Sequence, residues 1–156
     1  ARRGDATGGT LAGAPLTAGR ADLRLEPRAP RLWSPASPHL YRLDIEVLDA
    51  SGAVIDAGSQ QIGLRTFAID GARFLLNGEP ITLKGFGKHE ESPLHGRGLN
   101  LPQLVKDFHL LKWIGANSVR TSHYPYSEEF LDLADRFGVL VIDEVFSINL
   151  DFRRTN

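Results

Sequence analysis

Two kinds of hydrophobic pattern divide this chain near residue 70. Up to that point apolar and polar residues alternate, which is typical of strands with one buried face. The clearest alternation covers residues 41–48, a polar turn follows at 49–52, and further apolar segments lie at 54–57 and 61–67. Short strands separated by polar turns predict an antiparallel β-sandwich over residues 1–69.

The pattern after residue 70 is typical of alternating strands and helices. Asn77-Gly78 between two apolar segments is the strongest short signal for a β-hairpin. Farther on, Asn100 is suited to begin a helix and Gly138 to end one. The predicted elements are a helix over 101–115 with Leu104, Phe108, Leu111 and Ile114 on one face, a strand over 116–121, a second helix from Ser127, and a strand over 139–142. Apolar strands joined by helices predict a parallel α/β sheet with right-handed crossovers.

Ionisable side chains are concentrated where the predicted parallel strands end. His89 follows the first strand, His123 follows the second, and the pair Asp143-Glu144 follows the third. The carboxyl ends of parallel strands meet at one edge, where the chemistry of α/β proteins gathers. The two histidines could therefore bind the hydroxyls of a polyol, ligate a metal or shuttle protons. They could also be half-buried groups that bond only to backbone.

Arg120 lies near the end of an otherwise apolar strand, so its charge requires a carboxylate partner. Asp143 and Glu144 are the candidates for a structural pair. Two acids could also suggest glycosidic cleavage, but adjacent strand residues point to opposite faces. These two acids are therefore not expected to act together as an acid and a nucleophile.

Composition excludes several classes of function. The 156 residues carry 18 Lys and Arg against 19 Asp and Glu, so nothing favours a nucleic-acid partner. The longest unbroken aliphatic run is Val139 to Ile142, far too short to span a membrane. The chain has no Cys, which excludes a thiolate zinc site and a cysteine nucleophile. His89-Glu90 lacks the second histidine of a zinc-protease motif, so a metal is not expected at this stretch. Gly85-Phe86-Gly87 lacks the third glycine of a dinucleotide loop, so a dinucleotide site is not expected either.

One long motif resembles a known family. Residues 117–125, together with Phe130-Leu131, Asp135 and the segment 138–142, are similar to the first signature of family 2 glycoside hydrolases. Upstream, Trp33-Ser34-Pro35, Pro38 to Tyr41 and Gly63 to Phe67 resemble that family's immunoglobulin-like sandwich and its exit into the catalytic barrel. Residues 85–92 resemble the β-glucuronidase branch, since the β-galactosidase counterpart has Asn and Arg in place of Gly87 and Lys88.

The resemblance implies an incomplete pair of domains and a reaction class. Residues 1–69 would be part of an immunoglobulin-like β-sandwich, and residues 70–156 the first three strands of a (β/α)₈ TIM barrel. The activity implied is hydrolysis of terminal β-D-glucuronides by a retaining mechanism without a cofactor. The acid/base and nucleophile Glu residues of that mechanism would lie beyond Asn156, so no catalytic residue is expected in this stretch. Because position 1 is Ala rather than Met, we expect an internal part of a larger enzyme, inactive by itself.

The resemblance also assigns roles within the chain. His89 and His123 would contact sugar hydroxyls, and Arg120 would hydrogen-bond the nucleophilic carboxylate. Glu144, Tyr124 and Lys88 would line the site. The implied partner is a small-molecule β-glycoside, and the larger enzyme is expected to be a cytoplasmic homo-oligomer.

Two alternatives stay open at this point. One is a β-galactosidase of the same family. The other comes from a different class, a non-catalytic fragment that binds carbohydrate or serves as an interaction module.

Overall fold

A computed structural model describes residues 12–146 of the chain. Within that range the backbone divides into two compact units, one formed by residues 12–31 and 44–60 and the other by residues 32–43 and 61–146. The outermost parts of both predicted domains, residues 1–11 and 147–156, lie outside the described residues.

Most of one two-stranded sheet lies in the first unit. Strands β1 (Tyr41–Leu48) and β2 (Val54–Ile62) are hydrogen-bonded neighbours. The predicted turn between them is confirmed, because the Asp49 carboxylate accepts hydrogen bonds from the Ser51 hydroxyl at 2.6 Å and from the Ser51 and Ala53 amides at 2.8 and 3.0 Å. These bonds, that from the Ser51 hydroxyl above all, lower the pKa of Asp49.

One detail of the predicted strands is wrong. The segments 54–57 and 61–67, predicted as separate strands, are replaced by the single strand β2 and a distinct later strand. The polar residues in the middle of β2 hid this continuity, since nearly all of β2 is solvent-exposed and backbone pairing alone keeps it extended. Among residues 12–31 and 44–60, the paired strands β1 and β2 form the only sheet.

The second unit begins with a three-stranded antiparallel meander. Its strands are β3 (Phe67–Asp70), β4 (Arg73–Leu76) and β5 (Glu79–Ile81), in that order. The predicted hairpin at Asn77-Gly78 is confirmed, with φ angles of 55° and 85°. Positive φ at both central residues is what a two-residue type I′ turn requires.

A three-stranded parallel sheet follows, as the sequence predicts. Its strands β6 (Gly85–Lys88), β7 (Ser118–Thr121) and β8 (Leu140–Ile142) lie in that order and are linked by helices α1 (Leu101–Trp113) and α2 (Glu128–Phe137). The predicted N-cap is confirmed, because the side chain of Asn100 accepts a hydrogen bond from the Gln103 amide. The side chain of Ser127 caps α2 in the same way, accepting from the Phe130 amide. Gly138 ends α2 with a φ of 69°, a conformation that favours glycine.

Helix α1 ends earlier than predicted. It stops at Trp113 instead of Gly115, and Ile114, predicted on the buried face, is 51% exposed because it follows the last turn. The other three predicted positions do face inward. Leu104 and Phe108 are core residues and Leu111 packs against them, together with Val119, Phe130, Leu133 and Val139.

Trp33 links residues 32–43 of the second unit to α2. Its side chain is 1% exposed, and its indole N–H donates to the carbonyl oxygen of Asp135 at 2.8 Å. The guanidinium of Arg65 lies 4.8 Å from the centre of the indole ring. Gly63 passes so close to that ring that a Cβ there would lie 3.0 Å from it.

The three parallel strands form an open sheet, and residues 12–146 do not close a barrel. None of the helices in this described part is both long and apolar enough to cross a membrane.

Candidate functional site

The carboxyl ends of the parallel strands bring together most of the predicted site residues. Four of them meet there: His89 after β6, Arg120 and His123 at the end of β7, and Glu144 after β8. The strands reach one edge in register, with Gly87 beside Arg120 and Arg120 beside Ile142.

Glu144 bridges two of these side chains. Its Oε1 lies 3.0 Å from Nε of Arg120, and its Oε2 lies 2.8 Å from Nδ1 of His123. Of the two candidate partners for Arg120, the structure therefore selects Glu144. The carboxylate of Asp143 has a different partner, the hydroxyl of Thr121.

Thr121 is a structural residue of the site that the sequence analysis missed. Its side chain is fully buried at the end of β7. The hydroxyl donates to Oδ1 of Asp143 at 2.8 Å and accepts from the backbone N–H of Glu144, also at 2.8 Å. A hydroxyl at the last position of a buried strand, facing two acids at the end of the next strand, was the available signal.

The two histidines lie side by side. The ring centroids of His89 and His123 are 5.5 Å apart and the ring planes are 80° apart, an edge-to-face arrangement. The peptide bond between Ser122 and His123 is cis. The partner of His123 is a side-chain carboxylate, so the alternative of a histidine bonded only to backbone does not describe it.

Lys88 is directed to helix α1. Its ammonium lies 2.9 Å from Oδ2 of Asp107, and it also donates to the carbonyl oxygen of His89 at 3.0 Å. The carboxylate of Asp107 on α1 therefore balances the positive charge of Lys88. A role for Lys88 in lining the site stays a prediction.

Tyr124 lies beneath Arg97, whose guanidinium is 4.9 Å from the ring centroid. The Tyr124 hydroxyl is buried and has no hydrogen-bond partner among residues 12–146. Arg97 in turn pairs with Glu91 at 3.0 Å. Sequence reasoning did not find this stack, because Arg97 is 27 positions away in a loop without a recognisable pattern.

Glu90 and Tyr126, which follow β6 and β7 along the chain, have shifted pKa values. Burial raises the pKa of Glu90, and Lys88 and Arg97 only partly oppose it. Burial also raises the pKa of Tyr126, whose hydroxyl donates to the carbonyl oxygens of Lys88 and Ser122. Tyr126 thus ties the end of β6 to the end of β7.

Gly87 lies close to the side chains of Ser122 and Arg120. A Cβ at this position would lie 2.9 Å from the Ser122 hydroxyl and 3.4 Å from Nη2 of Arg120. A larger residue at 87 would therefore require the Ser122 side chain to shift, while its distance to the Arg120 guanidinium would be an ordinary van der Waals contact.

These groups can orient a hydroxylated ligand. Imidazole nitrogens and a guanidinium supply hydrogen bonds in defined directions, and Glu144 is already occupied by Arg120 and His123. In the described residues, no three His, Asp or Glu side chains are grouped as a metal would require. Glycoside cleavage needs two carboxyl groups on opposite sides of one bond, and Asp143 and Glu144 are each committed to other partners.

Two family models match the chain. The one described as "Glycosyl hydrolases family 2, TIM barrel domain" matches residues 67–154, and the one described as "Glycosyl hydrolases family 2" matches residues 6–65. The chain belongs to glycosyl hydrolase family 2. This confirms the family resemblance found in the sequence.

The similar proteins within this family are named as β-glucuronidases. The chain is 53% identical over 126 residues to the β-glucuronidase of Paenibacillus borealis, covering 81% of this chain and 21% of that protein. It is 47% identical to the mouse β-glucuronidase, covering 78% of this chain and 19% of the relative. The chain thus spans about a fifth of the length of the curated relatives it matches.

Solved structures give the same result. The β-D-glucuronidase of Dictyoglomus thermophilum superposes with a TM-score of 0.77 at 49% identity, covering 83% of this chain and 22% of that one. The β-glucuronidase of Ruminococcus gnavus in complex with D-glucuronic acid has a TM-score of 0.74 at 47% identity, covering 78% and 21%.

Proposed function

We propose that this chain is part of a β-glucuronidase that hydrolyses terminal β-D-glucuronides with retention of anomeric configuration. The observation that carries the proposal is the cluster of His89, His123, Arg120 and Glu144 at one strand edge, in a chain about half identical to β-glucuronidases. One such relative has been solved with D-glucuronic acid bound.

The domain organisation is a proposal of its own. Residues 1–69 are part of an immunoglobulin-like sandwich, and residues 70–156 are the opening three strands and two helices of a (β/α)₈ barrel. Support comes from the three parallel strands with helical crossovers and from the barrel description attached to residues 67–154. A complete barrel takes about 250 residues, so later strands supply the rest of the site.

The described residues bind and orient in this proposal. His89 and His123 hydrogen-bond sugar hydroxyls, while Tyr124 and Lys88 border the site. Arg120 uses its Nε for Glu144. The Nη nitrogens of its planar fork are then the groups suited to hold the nucleophilic carboxylate from a later strand.

The chemical steps belong to two Glu residues outside this chain. In a retaining glycosidase one carboxylic acid protonates the leaving oxygen while a carboxylate about 5 Å away attacks the anomeric carbon. Water then attacks the anomeric carbon and breaks its bond to the enzyme, which releases the nucleophile as a free carboxylate. The first residue, now a carboxylate, accepts the proton of that water. The sugar leaves with its original anomeric configuration.

An assay of the complete polypeptide that carries this chain tests the proposal. Aryl β-glucuronide and aryl β-galactoside are compared at equal concentration, and the first-formed anomer is observed by NMR. We expect a higher kcat/KM for the glucuronide and initial release of the β-anomer. Preference for the galactoside would overturn the substrate assignment, and initial release of the α-anomer would overturn the retaining mechanism.

A second candidate, from a different class, is favoured by the limited coverage of the relatives. The 156-residue chain by itself contains the proposed binding side chains without the two catalytic Glu residues, and so binds sugar without turnover. Incubating this chain alone with either aryl glycoside should release no phenol. Measurable release would show that catalytic carboxylates are present within it. The cytoplasmic location and the homo-oligomeric state stay predictions.

A further inference from the structure

The carboxylate of Glu144, which follows β8, faces one ring nitrogen of His123. Oε2 of Glu144 lies 2.8 Å from Nδ1 of His123. A glutamate carboxylate is ionised at neutral pH and then has only acceptor sites. The nitrogen that faces it must therefore carry the hydrogen.

The consequence falls on the other nitrogen of the ring. In a neutral imidazole only one nitrogen is protonated, and the hydrogen bond made by one nitrogen decides the state of the other. With hydrogen on Nδ1, Nε2 of His123 presents a lone pair. It accepts a hydrogen bond from a hydroxyl, whereas the opposite tautomer would donate one.

The position of Glu144 is fixed from two directions. Its backbone N–H donates to the hydroxyl of the fully buried Thr121 at 2.8 Å, which ties the chain after β8 to the end of β7. Its Oε1 is held 3.0 Å from Nε of Arg120. Because both anchors are groups of the protein itself, the carboxylate has little freedom to lose when a ligand binds.

We propose that Glu144 is a positioning residue that keeps His123 in the Nδ1–H tautomer, so that Nε2 of His123 accepts a hydrogen bond from a sugar hydroxyl. The identity of the ligand rests on the proposed function. The tautomer does not, and it can be measured in the chain alone.

The first experiment is long-range proton–nitrogen NMR of the 156-residue chain labelled with ¹⁵N-histidine. His123→Gln identifies the His123 signals among the five histidines. We expect the Nδ1–H pattern in the unchanged chain at a pH where the ring is neutral. In Glu144→Gln we expect a loss of that pattern, since the amide can donate as well as accept.

The matched control is Asp143→Asn, because this neighbouring carboxylate bonds Thr121 and not His123. It should leave the tautomer of His123 unchanged. The proposal is overturned if the unchanged chain shows the Nε2–H form, or if Glu144→Gln keeps the Nδ1–H form. Glu144→Asp, which keeps the charge but shortens the side chain, supplies a second variant should Glu144→Gln not fold.

The second experiment uses kinetics in the complete polypeptide with a series of mono-deoxy aryl glucuronides. A hydrogen bond between two neutral groups contributes roughly 0.5–1.5 kcal/mol, so losing the one between His123 and the sugar hydroxyl in Glu144→Gln should lower kcat/KM on the parent glucuronide by about 2- to 13-fold. For the substrate that lacks the hydroxyl bound by His123, the loss should be smaller than for every other deoxy substrate. The part that remains is common to all substrates and comes from the pairing of Glu144 with Arg120. An equal loss for every deoxy substrate would show a general structural role and overturn the proposal.

The NMR experiment and the kinetic experiment test separate claims. A complete polypeptide without activity on glucuronides would refute the proposed function while the NMR result still decides the tautomer. An active polypeptide whose His123 has the wrong tautomer would refute only the role of Glu144.

Discussion

The two compact units differ in one respect: among residues 12–146, all the buried apolar side chains lie in the second unit. In the first unit, the strand residues Ile45, Val54 and Ile55 are exposed, Ile55 to 65%. In the second, Val119 on the central strand and Phe108 and Phe130 on the helices are almost fully buried. Apolar side chains stabilise a sheet only when a second layer covers them. Regular alternation therefore indicates a face suited to burial, and packing decides whether that face is buried.

The largest test of this contrast removes a core ring. Phe108→Ala should destabilise the second unit by about 3–5 kcal/mol, because it deletes a fully buried side chain that touches Phe130 and Phe137. The matched change in the first unit, Ile55→Ala, should cost about 0.5 kcal/mol or less. Hydrogen exchange measured separately for the amides of each unit gives both values, and equal costs would contradict the contrast.

A smaller difference is expected from adding one methyl group. A Cβ on Gly85 would lie 1.9 Å from the carbonyl oxygen of Ser118, so Gly85→Ala should separate β6 from β7 and cost about 1–3 kcal/mol or more. Gly58 in β2 has nothing within 4 Å of the same position. Gly58→Ala should therefore be close to neutral. Urea midpoints for both variants test the pair, and a neutral Gly85→Ala would show that the strands can separate freely.

Removing the hydrogen bond of the Trp33 indole should cost less stability than Phe108→Ala or Gly85→Ala. Trp33→Phe keeps most of the apolar volume but removes the N–H that donates to the Asp135 carbonyl oxygen. We expect a loss of about 1 kcal/mol in the second unit, since the half-buried carbonyl oxygen of Asp135 loses this donor. Thermal unfolding followed by near-ultraviolet circular dichroism measures it, and Trp113→Phe, at an exposed indole, is the control.

The smallest effects have opposite signs in the two units as pH changes. Hydrogen bonds lower the pKa of Asp49, so its stabilisation is present above the unfolded value near 3.8 and is lost as pH falls through the lower folded pKa. Burial raises the pKa of Asp135, so its cost is present above the folded pKa and disappears as pH falls below 3.8.

Asn substitutions separate these two effects. At neutral pH Asp49→Asn should weaken the first unit and Asp135→Asn should strengthen the second, and both differences should shrink toward pH 3. Hydrogen exchange at a series of pH values measures them. The same sign for both variants at neutral pH would contradict the assignment of burial as the cause for Asp135.

Features determined by neighbouring residues could be predicted from the sequence. The Asn77-Gly78 turn, the Asn100 cap and the end of α2 at Gly138 each depend on the conformation of one or two residues. The ends of the parallel strands followed from the same local patterns. Placing His89, His123 and Arg120 at one edge then required only the rule that parallel strands end together.

Features that depend on distant partners could not be predicted. The role of Thr121 requires that Glu144 be placed beside it, and the stack of Arg97 on Tyr124 joins a loop to another strand end. The choice between Asp143 and Glu144 for Arg120 likewise depended on side-chain geometry. Strand β2 was divided in the prediction because polar residues in an exposed strand carry no periodic signal.

The order of the parallel strands also has a consequence for folding kinetics. Within the described residues, β7 is paired on both sides while β6 and β8 each have one free edge. In the proposed barrel, the next strand of the chain becomes the second neighbour of β8. The second neighbour of β6 is the last strand of the barrel. The strand synthesised first would thus be the last to be completed. Closing that contact joins the ends of the longest loop in the barrel, so it should be the slow step of folding.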